Sequence, residues 1–157
     1  VSKPSIDHVR PDELTLLLDG VFRVERAVMR IGNQRLMPWR MTLSTYAAMR
    51  IIETQPSLSL TQLSRRAYVR PQTMTRIVSN LQQRGFVERT THPDSDRTMA
   101  LTLTDDGVAA LREMDAEVLK IDDTFDRALN GDERAELTRM LRAAAAMIES
   151  DLREFEG

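Results

Sequence analysis

Apolar side chains recur along much of this chain at three- and four-residue steps, the spacing that lines one face of a helix. From Pro11 to Ile31 they fall at Leu14, Leu17, Leu18, Val21, Val24, Val28 and Ile31. Pro11 suits a first helical turn, and Asp12 and Glu13 suit the positive end of the helix dipole. Gly32-Asn33 is expected to close this helix. A connector, Gln34 to Met41, then carries Pro38 and the single tryptophan, Trp39. Thr42 is the expected N-cap of a second helix bearing Leu43, Tyr46, Ala47, Met49 and Ile52, which stops before Pro56.

The stretch from Leu60 to Arg89 is the most informative. Leu60 to Ala67 has the length of two helical turns, with Leu60, Leu63 and Ala67 on one side. Tyr68-Val69-Arg70 is a three-residue break. Pro71 opens a further helix through Arg84 with an apolar stripe of Met74, Ile77, Val78 and Leu81, and Gly85 ends it. Two short helices around a tight turn have the spacing of a helix-turn-helix. The period then drops to two in Phe86–Arg89 and again in Met99–Leu103, as in strands. The run between them, Thr91 to Arg97, is rich in polar turn formers. A hairpin with a polar tip directly after a helix-turn-helix is a wing.

Thr104 caps the next predicted helix, with Asp105 and Asp106 in its first turn and Val108, Leu111, Met114, Val118, Ile121 and Phe125 on its apolar side. Asn130-Gly131-Asp132 interrupts the chain. A last helix from about Asp132 to Phe155 carries Leu137, Met140, Leu141, Ala144, Ala145, Ile148, Leu152 and Phe155. Neither end helix has an evident partner within the chain long enough to cover its stripe, so the two are expected to pack together across a dimer interface.

At 157 residues the chain is the size of one domain and holds a core without metal or disulfide staples. Cysteine is absent, which excludes disulfides, thiolate metal sites, cysteine nucleophiles and thiol redox sensing. His8 and His92 are the only imidazoles. The grouping of His92 with Asp94 and Asp96 is explained by turn chemistry rather than by a metal. No phosphate-binding glycine loop or nucleophile motif is present, so neither enzyme, metal nor cofactor is expected. The longest apolar run, Ala143 to Ile148, is far short of the ~20 residues of a membrane span. Without a basic-then-apolar leader at Val1, a cytoplasmic protein with no membrane association is expected.

Charge changes the picture more than composition does. The formal net charge is −2. Residues 1–59 carry a balance of +2, residues 60–97 of +4 and residues 98–157 of −8. A basic middle beside an acidic tail points to a polyanionic partner for the middle.

The segments Met41-Thr42-Leu43, Leu60-Thr61-Gln62-Leu63-Ser64 and Pro71-Gln72-Thr73-Met74-Thr75-Arg76 resemble, in order, the pattern of the MarR family of bacterial winged helix-turn-helix transcription regulators. The likeness continues through Leu81-Gln82-Gln83-Arg84-Gly85-Phe86-Val87-Glu88-Arg89, Asp96-Arg97 and Leu103-Thr104-Asp105-Asp106-Gly107. It implies a mainly α fold with a small β-hairpin wing. Residues 1–157 then form one domain, with a DNA-binding part at 42–104 and dimerisation helices at 11–31 and 105–155. Two departures stand out. Arg70 occupies the place of a small capping residue, leaving the Pro71 helix without a side-chain N-cap. Ser95 stands where the family carries the aspartate that braces the wing arginine, with Asp94 and Asp96 beside it.

The resemblance implies a homodimer that binds double-stranded DNA at a pseudo-palindromic operator, as a repressor controlled by a small molecule such as an aromatic acid. On the Pro71 helix the polar set is Gln72, Thr73, Thr75, Arg76, Ser79 and Asn80. Residues near the N-terminus of a recognition helix reach base edges first, which favours Gln72, Thr73 and Arg76. Arg97 at the wing tip suits an adjacent minor groove, or pairs with Asp94 or Asp96. Arg65, Arg66, Arg70, Arg84 and Arg89 read as phosphate contacts or solvent-facing charges. The family's ligand cleft, carried across by position, draws on Arg26, Met29, Trp39, Arg40, Tyr46 and Met49; the alternative is that Met29, Tyr46 and Met49 are plain core and Trp39 packs a dimer seam. Two rival functions remain: a winged-helix module docking an acidic protein, and an architectural DNA binder without an effector.

Overall fold

A computed structural model describes residues 11–92 and 95–156, with side chains from 16 to 91 and from 100 to 155. The elements run α1 (Pro11–Leu36), a single 3-10 turn (Met37–Trp39), α2 (Leu43–Thr54), α3 (Leu60–Arg66), α4 (Pro71–Gln83), β1 (Val87–His92), β2 (Ser95–Leu103), α5 (Asp105–Ala128) and α6 (Gly131–Glu156). The strands form one antiparallel hairpin, with Val87 opposite Leu103, Arg89 opposite Leu101 and a register shift between Thr91 and His92.

The helix starts follow local chemistry. The Thr42 side chain accepts from the Thr45 amide, and Ser59 and Gln62 form a reciprocal capping box at α3. Thr104 accepts from the Gly107 amide at 3.0 Å. Asn130 and Glu133 cap α6 reciprocally, each accepting the other's amide at 2.9 Å. The Asn130-Gly131-Asp132 break is thus the start signal of the last helix.

One expectation fails at α1, which passes through Gly32-Asn33 and ends at Leu36. Gly32 is buried against α2: a Cβ there would lie 2.8 Å from the Leu43 Cδ2. Asn33 turns its Oδ1 to the Leu43 amide at 2.8 Å, serving the start of α2 rather than the end of α1. Both residues are used for a close helix–helix approach, so their terminating tendency is overridden.

Three stops share one geometry. After the 3-10 turn, after α3 and after α4, a residue with positive φ closes the helix: Arg40 (52°), Tyr68 (53°) and Gly85 (73°). In each the next amide reaches back five residues, Met41 to Leu36 at 3.2 Å, Val69 to Ser64 at 3.1 Å and Phe86 to Leu81 at 2.9 Å. This is the Schellman closure, which favours glycine at the left-handed position. Only one of the three has it.

The core of the winged part comes from seven elements, α1 to α5 and both strands. Leu36, Met49, Leu63, Met74, Val78, Leu81, Leu111 and Met114 are fully buried, with Ile52, Val87 and Leu101 almost so. The hairpin base and the start of α5 lock onto the end of α4: the Thr104 amide donates to the Phe86 carbonyl at 3.0 Å, and its hydroxyl to the Gly85 carbonyl. The described residues divide into two compact units, with the boundary between Val118 and Leu119 inside α5. Within the second, Arg134 of α6 pairs with Asp122 and Asp126 of α5. Among the described residues no helix is long and apolar enough to cross a membrane, and no cluster of acidic or histidine side chains is arranged to hold a metal.

Candidate nucleic-acid interface

Helix α4 has two sharply different faces. Met74, Val78 and Leu81 are fully buried, whereas Gln72, Thr73, Thr75, Arg76 and Asn80 are exposed. Ser79 is half-buried. The Thr75 hydroxyl donates to the Pro71 carbonyl at 2.9 Å, which commits its proton and leaves its oxygen able to accept. Pro71 occupies the first turn, and Arg70 at the N-cap makes no side-chain cap bond, as its substitution for a small polar residue predicts. Amides at that end therefore lack a side-chain acceptor. Arg65, Arg66, Arg70 and Arg89 are exposed around this helix and the first strand. Arg97 lies on β2; its side chain, and all of Asp94, fall outside the described residues, as do the side chains of His92 and Asp96.

Arg84 departs from its expected role as a phosphate or solvent charge. It is the half-buried C-cap of α4, and its guanidinium donates to the backbone carbonyls of Trp39 and Arg40, the latter at 3.3 Å. The same group lies 4.9 Å from the centre of the Phe86 ring, a cation–π distance. Trp39 in turn donates its indole Nε1 proton to the Glu113 carboxylate on α5 at 3.0 Å. No local pattern in the sequence forecasts a bond across 44 residues.

The six residues of the expected ligand cleft have distinct settings. Arg26 is exposed and Met29 half-buried on α1; Arg40 is exposed at the left-handed closure. Met49 is fully buried in the core. Tyr46 is half-buried and donates its hydroxyl to Asp115 at 2.7 Å. Burial, then this hydrogen bond and the neighbouring negative charge, push its pKa up to about 12. Asp115 belongs to a cluster joining α2 to α5: Arg50 lies 3.6 Å and Arg112 3.3 Å from its oxygens, and both arginines also pair with Glu53. Acidic side chains on α5 thus occupy the polar atoms of both Trp39 and Tyr46. Helical periodicity marks the apolar side of α5 and gives no signal for Glu113 and Asp115.

Residues 41–99 match the model of the MarR family. The chain is 30% identical over 121 residues to the HTH-type transcriptional repressor Rv2887 of Mycobacterium tuberculosis, covering 77% of this chain and 87% of that one. The crystal structure of that MarR family protein in complex with p-aminosalicylic acid superimposes with a TM-score of 0.66 at 28% identity, covering 80% of this chain and 95% of the other. A mutant MarR from E. coli complexed with operator DNA shares the fold, with a TM-score of 0.75 at 23% identity over 85% of this chain and 96% of that one.

Proposed function

Because the chain belongs to the MarR family of winged helix-turn-helix DNA-binding transcription regulators, which are not enzymes, we propose that it is a homodimeric repressor of a pseudo-palindromic operator, released by a small aromatic acid. The observation that carries the DNA reading is the split of α4: three fully buried apolar side chains on one face, and exposed Gln72, Thr73, Thr75, Arg76 and Asn80 on the other. Uncharged amides and hydroxyls beside one arginine suit base edges in a major groove better than a purely electrostatic dock. Arg76 pairs with a guanine and Gln72 with an adenine; Arg70 holds a phosphate and Arg97 enters the minor groove.

A second copy supplies what each end helix lacks. On α1, Leu16, Leu17, Leu18, Val21, Phe22 and Val24 are all about half exposed or more; on α6, Met140, Leu141, Met147, Ile148 and Leu152 are likewise. Apolar stripes of this length mark interaction surfaces. Two α4 helices in a symmetric pair then engage half-sites about one helical turn apart.

We draw the effector site from Arg26, Met29, Trp39, Arg40 and Tyr46, whose cationic and aromatic groups suit an aromatic carboxylate, while Met49 belongs to the core. The complex of the M. tuberculosis relative with p-aminosalicylic acid supports this class of ligand. The decisive experiment selects bound sites from random duplex DNA with purified protein, then titrates the enriched duplex with aromatic acids. Enrichment of an inverted repeat, and its release by an aromatic acid, are expected. Equal binding to all duplexes, or to none, overturns the repressor reading.

A further inference from the structure

We infer that Arg84 is a positioning residue for DNA recognition: it fixes the angle of α4 by anchoring the helix's C-terminal end to the Trp39–Arg40 turn, and it is not a phosphate contact. This rests on the DNA-binding reading above and adds to it the residue that aims the reading helix.

The two ends of α4 are held very differently. At the N-terminal end no side chain caps the helix. At the other end the Arg84 guanidinium bridges the carbonyls of Trp39 and Arg40 and lies over the Phe86 ring. Arg40 sits in the left-handed conformation, which strains a non-glycine residue and orients the carbonyls of this turn. Trp39 is fastened to Glu113 on α5. The route from α4 to α5 is therefore a hydrogen bond from Arg84 to the Trp39–Arg40 backbone, the Trp39 side chain itself, and a hydrogen bond from its indole to Glu113. The Arg84 guanidinium gives one N–H from each terminal nitrogen to these carbonyls and lays its face on an aromatic ring, which holds it against its own domain in a geometry that a phosphate contact does not need.

Lysine separates positioning from charge. Arg84→Lys keeps the cation but loses the planar fork that spans two carbonyls. Its affinity for the duplex selected by the wild-type protein is expected to fall about tenfold, while affinity for random duplex DNA and the slope of log affinity against log salt stay unchanged. Arg84→Ala should behave alike, with the same slope. A phosphate contact gives the opposite pattern: Arg84→Lys near wild type, and Arg84→Ala weakened equally on both duplexes with the slope reduced by about one. That pattern, or wild-type binding by both variants, overturns the inference. Failure of the wild-type protein to enrich any duplex would instead remove the DNA-binding reading itself.

Discussion

The carbonyl oxygen of Phe86 occupies the space a side chain at Gly107 would need: a Cβ there would come within 2.1 Å of that oxygen and 2.9 Å of its carbonyl carbon. The Phe86 carbonyl is held in place by the Thr104 amide, so neither backbone can retreat without opening the joint between α4, the hairpin and α5. Gly107→Ala is expected to cost about 3 kcal/mol or more in urea denaturation. Gly131→Ala, at a position with nothing within 4 Å, should be neutral or stabilising by up to about 1 kcal/mol. Equal effects of the two would refute the contact as the cause.

Tyr68 and Gly85 perform the same turn with opposite suitability. Both have positive φ and both close a helix by the same pair of backbone bonds, yet only one lacks a Cβ. Tyr68 is 70% exposed, so its ring adds little to the core. Tyr68→Gly should stabilise the protein by about 1 kcal/mol and Gly85→Ala should destabilise it by a similar amount. Thermal and chemical denaturation measure both; a loss of stability in Tyr68→Gly contradicts the assignment of strain.

Tyr46 gives the fold an alkaline limit. Its phenol, pushed up to about 12 mainly by burial and then by the Asp115 hydrogen bond, keeps its proton where an unfolded tyrosine at 10.0 releases it. The folded state binds more protons in that window, so this contribution is whole below about pH 10 and is lost as the pH rises towards 12. Tyr46→Phe should cost about 1–2 kcal/mol at neutral pH through the lost bond to a carboxylate. It should also flatten the fall in stability above pH ~10. Denaturation series at pH 8 and pH 11 test the sign: a variant that loses as much as wild type between them denies Tyr46 this role.

Much of this architecture was legible because it is written locally. Thr42, Pro71, Gly85 and Thr104 mark ends that depend on their own neighbours, and the stripe of Met74, Val78 and Leu81 is a matter of period alone. Sequence misleads where distant partners decide. Asn33 reads as a stop from sequence, but its oxygen serves Leu43, ten residues on. Apolar–polar alternation predicts a strand only as far as Arg89, whereas the hairpin extends through Thr90 and Thr91, paired with Ala100 and Met99. Arg84 reads like any other arginine in a basic segment until the Trp39 turn is folded against it.

At the DNA, Arg76 and Arg70 are expected to divide the work. Both are exposed, one on the outward face of α4 and one at its uncapped start. Arg76→Ala should reduce discrimination at one base position by about 1–3 kcal/mol. Arg70→Ala should weaken selected and random duplexes alike and reduce the salt slope by about one. Binding titrations over a range of salt on both duplexes distinguish these roles; parallel losses in both variants rule out the division.

The dependence of the winged part on Leu36, Leu111 and Met114, all with no exposed surface, has a practical consequence for anyone wishing to transplant its specificity. A cassette cut at the visible edges of the helix-turn-helix and hairpin leaves behind three of the side chains that keep it solid, together with the Trp39 turn that Arg84 grips. Chimaeras joined inside α1 before Leu36 and inside α5 beyond Glu117, whose carboxylate meets Arg35 at 3.2 Å, carry the whole assembly across.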